Sequence, residues 1–111
     1  MSAVTTHVLD TARGRPASGV PVRLERVTPA GAEVLAEATT DDDGRVRDLG
    51  PDRVEEGTYR LVFDTAGYHS GQGETGFFPE VVVTFAVTDP SAHHHVPLLL
   101  SPFAYSTYRG S

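Results

Sequence analysis

Four of this chain's five histidines fall in two places: His7 near the start, and His93, His94 and His95 near the end. Imidazole is the side chain whose ordinary pKa lies nearest neutrality, so each could take a proton from water as a general base. Read as strand residues, His93 and His95 share one face and His94 points the other way. Three uses are open to them. They could be solvated at a sheet edge, one could act as a base, or His93 and His95 could supply part of a metal site, which needs three or four ligands. Arg45 follows Gly44 and opens a strand. Its guanidinium is either a solvated cation or a planar fork of donors that grips a planar substrate. There is no cysteine, and no serine sits in a nucleophile-elbow sequence. No covalent nucleophile is legible among these residues, and activated water is the simpler reading.

The segment Phe103-Ala104-Tyr105-Ser106-Thr107-Tyr108 is aromatic and strand-forming, and it stops three residues before the chain does. Chain ends are usually frayed and polar, so a defined place for Ser111 is expected; a last edge strand is the plainer alternative. Phe103 and Tyr105 are expected to be this strand's main apolar positions.

These residues need a framework to hold them. Short β-rich segments separated by turn signals give the pattern of an all-β sandwich. Strands are expected over 4–10, 20–27, 33–40, 45–49, 58–64, 80–88, 93–100 and 103–109. In the second, Val20, Val22 and Leu24 alternate with polar neighbours and should face inward; Tyr59, Leu61 and Phe63 share a face in the fifth. Asp41-Asp42-Asp43-Gly44 makes a tight turn in which Gly44 can supply positive φ. Residues 65–76 are the one non-strand candidate, a helical turn over Thr65–Gly71 ended by Gly71.

At 111 residues, one domain over 1–111 is expected, large enough to bury a core without disulfides. Nine arginines, no lysine and fifteen acidic residues give a net charge of −6. That balance argues against nucleic acid, which needs clustered cations. No run approaches membrane-spanning length, and Met1 to His7 lacks a basic segment followed by an apolar one. The chain is expected to be soluble and cytoplasmic, without a membrane partner, and the absence of cysteine fits a reducing compartment.

Thr5-Thr6-His7-Val8-Leu9-Asp10 with Gly14-Arg15-Pro16-Ala17 resembles the opening motif of the 5-hydroxyisourate hydrolases. Asp43-Gly44-Arg45 resembles their central motif and Phe77-Phe78-Pro79-Glu80-Val81 a later one. His95-Val96-Pro97-Leu98-Leu99-Leu100-Ser101-Pro102 leads to Tyr105-Ser106-Thr107-Tyr108-Arg109-Gly110-Ser111, whose last four residues are the family's signature. That signature separates these enzymes from hormone-carrying transthyretins. The resemblance spans essentially the whole chain. It departs where His94 replaces a frequent tyrosine and Ala104 a frequent glycine.

The resemblance implies a transthyretin-like two-sheet sandwich of seven to eight strands with one short helix, assembled as a homotetramer with sites in clefts between dimers. It implies hydrolysis of 5-hydroxyisourate to 2-oxo-4-hydroxy-4-carboxy-5-ureidoimidazoline, on the route from urate to allantoin, without metal or organic cofactor. His7 and His95 resemble the catalytic histidines, Arg45 the active-site arginine, and Tyr108 and Ser111 the substrate-contacting and terminal positions. The sequence leaves open which histidine is the base; His7 is favoured, with His95 orienting substrate or water. Ser111, by hydroxyl or carboxylate, would hold an imidazole or the substrate, and Arg109 reads as structural. A non-catalytic carrier of small ligands on the same sandwich is the competing function, and fold alone does not separate the two.

Overall fold

Alternation drives the architecture. The computed structural model describes residues 2–111, and its central strands turn apolar residues inward. Val4, Thr6 and Val8 of β1 (Val4–Asp10) are buried. Val22 and Leu24 of β3 (Pro21–Thr28) and Tyr59, Leu61 and Phe63 of β6 (Gly57–Phe63) are buried likewise. Leu24, Leu61, Phe63 and Leu98 are fully enclosed, and burying side chains of this size contributes roughly 1.5–3 kcal/mol each.

Two sheets enclose this core. One runs β4 (Gly31–Thr39), β3, β6, β7 (Val81–Val87), all antiparallel. The other runs β2 (Arg15–Pro16), β1, β8 (His94–Leu100), β9 (Tyr105–Thr107), with β5 (Arg45–Val46) also paired to β1. Seven strands have three or more residues and two are two-residue pairings, so the expected seven to eight strands hold. The pair that matters most for the site is β1 with β8, which is parallel.

The helix α1 (Thr65–Gly71) lies where the sequence indicates. Asp64 caps it, its Oδ1 accepting from the backbone N–H of Gly67 at 3.0 Å. Its end differs in detail. The left-handed residue is Gly73 (φ +73°), not Gly71. Backbone N–H groups of Gly73 and Glu74 donate to the carbonyls of Ser70 and His69, each at 3.0 Å, which closes a Schellman motif.

Two expected strands are shorter than the pattern suggested. The segment expected over 45–49 pairs only at Arg45–Val46, and that over 103–109 only at Tyr105–Thr107. Phe103 and Tyr105 are not core positions: they are 76% and 41% exposed. The reason is tertiary. β9 is an edge strand bonded to β8 alone, and Phe103 lies before it, so both residues sit outside the two-sheet core, with Tyr105 edge-on to the Phe78 ring at 5.0 Å.

Candidate active site

The outer face of the β1/β8 pair carries the chemistry. Inward positions of β1 are Val4, Thr6 and Val8, which leaves Thr5 and His7 pointing outward. On β8, buried His94, Val96 and Leu98 leave His95 outward. Parallel register makes Thr5 the Cα partner of His95. Antiparallel pairing with β5 makes His7 the Cα partner of Arg45.

The acidic turn aims Arg45. Asp41 Oδ1 accepts from the backbone N–H groups of Asp43 (2.9 Å) and Arg45 (3.0 Å). These hydrogen bonds, the one from Arg45 first, hold the Asp41 carboxyl below its ordinary pKa. Gly44 has φ +75°, and a Cβ there would lie 2.4 Å from the Val8 carbonyl oxygen. No larger residue would let the turn lie this close against β1.

Arg45, Thr5, Thr6, His93, His95 and Ser111 line one concavity of about 240 Å³, and His7 adjoins it through Arg45. Four of the five expected site residues, His7, Arg45, His95 and Ser111, are thus brought together. Tyr108 is placed differently: it lines a neighbouring concavity with Phe85, His94 and Thr107, and His95 borders both. The His95 ring is pinned by the chain's last residues. The Gly110 N–H donates to the His95 carbonyl at 2.8 Å, and a Cβ on Gly110 would fall 2.4 Å from His95 Cδ2.

Electrostatics keeps both imidazoles neutral. Burial first, then the Arg45 cation, lower the His7 pKa below its ordinary value. Burial, Arg45, His7 and His93 lower that of His95 in the same order. A neutral ring has a lone pair with which to accept a proton, as general-base work requires.

Three contributors escaped the sequence reading. Thr5 Oγ1 lies 2.9 Å from both His93 Nε2 and His95 Nδ1; Asp41 holds the Arg45 turn; Gly110 backs the His95 ring. Thr5 had a legible signal, since it is two residues from His7 and so shares its face. His94 is not a surface histidine: it is 5% exposed, near the Phe85 ring, with Nδ1 unpartnered among the described residues. Burial and then Arg109 lower its pKa. Among the described residues no group of three or more His, Cys, Asp or Glu side chains could hold a metal, and none of the helices is long and apolar enough to cross a membrane.

Comparison with known proteins shows the chain's family and fold. A 5-hydroxyisourate hydrolase of Deinococcus radiodurans is 47% identical over 97% of this chain and 95% of its own. The structure of Klebsiella pneumoniae 5-hydroxyisourate hydrolase superposes with a TM-score of 0.87 at 34% identity, covering 97% of this chain and 98% of that one. Transthyretin from Sparus aurata superposes with a TM-score of 0.89 at 31% identity, over 99% and 97% of the two chains. The model of the HIUase/Transthyretin family matches residues 4–110, and the chain belongs to that family.

Proposed function

We propose that this chain is a hydrolase whose substrate is 5-hydroxyisourate and whose product is 2-oxo-4-hydroxy-4-carboxy-5-ureidoimidazoline. The observation that carries the reading is the convergence of Arg45, His95 and Ser111 on one concavity, with neutral His7 directly across from Arg45. A ligand carrier has no use for a neutral base beside a fixed cation, and the relatives named as hydrolases support the same choice.

In this reading His7 takes a proton from water as the water oxygen attacks the cyclic amide carbon, a role worth roughly 10²–10⁴ in rate. Arg45 holds the substrate's carbonyls and stabilises the oxyanion as it develops. The C–N bond then breaks, the carbonyl carbon becomes a carboxyl group, and the proton held by His7 goes to the departing nitrogen. His95 and Ser111 orient water and substrate, and Tyr108 contacts the substrate from the other side of His95.

The site lies on an outer sheet face, open rather than enclosed by its own chain. We assign its remaining wall to another copy in a homotetramer, since a symmetric assembly can close a shallow face into a cleft. One domain over 1–111 and a cytoplasmic location belong to the same proposal.

The test is loss of 5-hydroxyisourate absorbance with and without the protein. Acceleration over spontaneous decay is expected. Decay at the spontaneous rate would overturn the reading and leave the carrier.

A further inference from the structure

A threonine hydroxyl has one proton to give, and Thr5 Oγ1 sits between two imidazoles. His93 Nε2 and His95 Nδ1 each lie 2.9 Å from it. The hydroxyl has one proton and two lone pairs, so it can donate to only one ring while accepting from the other. When it does both, the two rings hold opposite states: one presents a lone pair to Thr5 and the other presents an N–H.

We infer that Thr5 is a positioning residue that, with His93, fixes the tautomer of His95: Nδ1–H donates to Thr5, Thr5 donates to His93 Nε2, and the His95 Nε2 lone pair is left for the reaction. The inference deepens the proposed function and rests on it for its catalytic meaning.

Three observations choose this direction over its reverse. His95 shares its concavity with the Arg45 guanidinium, and a ring N–H turned towards that cation would be repelled whereas a lone pair is not. His95 Nδ1 is the nitrogen engaged by the Thr5 hydroxyl, which leaves Nε2 as the ring nitrogen that Thr5 does not hold. His93 is exposed, so water can satisfy its Nδ1–H at little cost, whereas Thr5 is only 7% exposed. Arg45, His7 and His93 are the neighbours that lower the His95 pKa after burial, and Arg47 and Ser111 share its concavity. The first three help to hold it neutral, and only a neutral ring has a tautomer to choose. With Nε2 as an acceptor, His95 can hold the attacking water by one O–H while His7 takes the other proton. In the reverse tautomer Nε2 could only donate, and it would tie up a lone pair that the water needs for attack.

The sequence places these three groups far apart: His93 lies 88 positions after Thr5 and His95 lies 90 after it. Only the parallel β1/β8 register unites them. Loss of the partner that fixes an imidazole typically costs about 10–100-fold at metal-held histidines, and a mis-set tautomer in a serine protease triad costs about 10⁴.

The experiment combines imidazole ¹⁵N NMR with kinetics on the wild-type chain, Thr5→Val, Thr5→Ser and His93→Ala. In the wild type, His95 should carry its proton on Nδ1 with Nε2 bare. Thr5→Val removes the hydroxyl and keeps the branched shape; it should mix the tautomers and lower kcat about 10–100-fold with little change in KM. Thr5→Ser should restore both signals. His93→Ala alters an exposed ring and should fold even if Thr5→Val does not. By freeing the Thr5 hydroxyl to turn towards His95, it should move the proton to Nε2 and lower kcat about tenfold. A wild-type His95 protonated on Nε2, or a tautomer and kcat unchanged in His93→Ala or Thr5→Val, would overturn the inference. The NMR arm needs no substrate. Failure of the wild type to turn over 5-hydroxyisourate would therefore strike the functional reading and leave the tautomer to be judged separately.

Discussion

His7 and Arg45 stand directly across from each other in the β1/β5 pair, so the strand that carries a candidate base also receives a cation that adds to burial in lowering its pKa. Arg45 lies second only to burial among the influences lowering both His7 and His95. One side chain thus serves two ends: it tunes the bases and is available to the substrate's oxygens.

Arg45→Lys should therefore fail despite keeping the charge. A flexible ammonium does not reproduce the planar, forked contact, and loss of one oxyanion donor typically costs about 10²–10³ in kcat. Turnover of 5-hydroxyisourate measures it, and near-normal activity would remove Arg45 from the site.

The pH dependence has a definite sign. Both imidazole pKa values lie below the usual 6.5, so the neutral forms persist through neutral pH. kcat/KM should fall only as pH drops below 6.5 and the rings take up protons. Arg45→Gln removes a cation that Asp43 and Asp41 only partly oppose at His7, and it should move the NMR titrations of His7 and His95 upward. Wild-type midpoints at or above 6.5 for both rings would contradict this account.

Gly110→Ala should damage catalysis more than folding. The added Cβ would meet His95 Cδ2 at 2.4 Å, so either the ring or the last residues must move. A kcat loss of about tenfold or more with unchanged circular dichroism is the expected result, by analogy with other losses of imidazole orientation. Removing Tyr108 to Ser111 should act in the same direction and more severely. Full turnover by that shortened, folded protein would make the segment a bystander.

Assembly should matter for activity. Phe103, Tyr105 and Tyr108 are exposed on and around β9, beside a site open on its own sheet face. Tyr105→Glu should weaken the proposed tetramer and lower turnover together, as read by sedimentation and the absorbance assay. A folded monomer with full activity would contradict the shared cleft.

At the other end of β1, Tyr68→Phe should cost stability and spare catalysis. The Tyr68 hydroxyl donates to Asp10 Oδ2 at 2.6 Å, and Asp10 is 2% exposed. Burial and this carboxylate push the Tyr68 pKa up, so it remains a donor. Leaving Asp10 without it should cost about 1–3 kcal/mol, visible in thermal unfolding, while kcat stays near the wild-type value. An unchanged Tm would mean that Arg13, 3.5 Å from the same carboxylate, suffices.

The sequence by itself determined the strands whose burial alternates, β1 at its full length among them, and the helix at Thr65–Gly71, because period and capping are local properties. Its ordered motifs also picked out His7, Arg45, His95 and Ser111. What it could not supply was pairing. That Thr5 bridges His93 and His95, and that Tyr108 faces a different concavity from Arg45, depends on which strands lie side by side, and β1 meets β8 across almost the whole chain. Exposure was undecided for the same reason. Phe103 and Tyr105 have core-like side chains, but their place at and just before the edge strand β9 leaves them outside the two-sheet core. His94 looks like a polar surface residue, yet the inward phase of β8 buries it. Residue type sets what a side chain can do; the packing of distant segments decides what it meets.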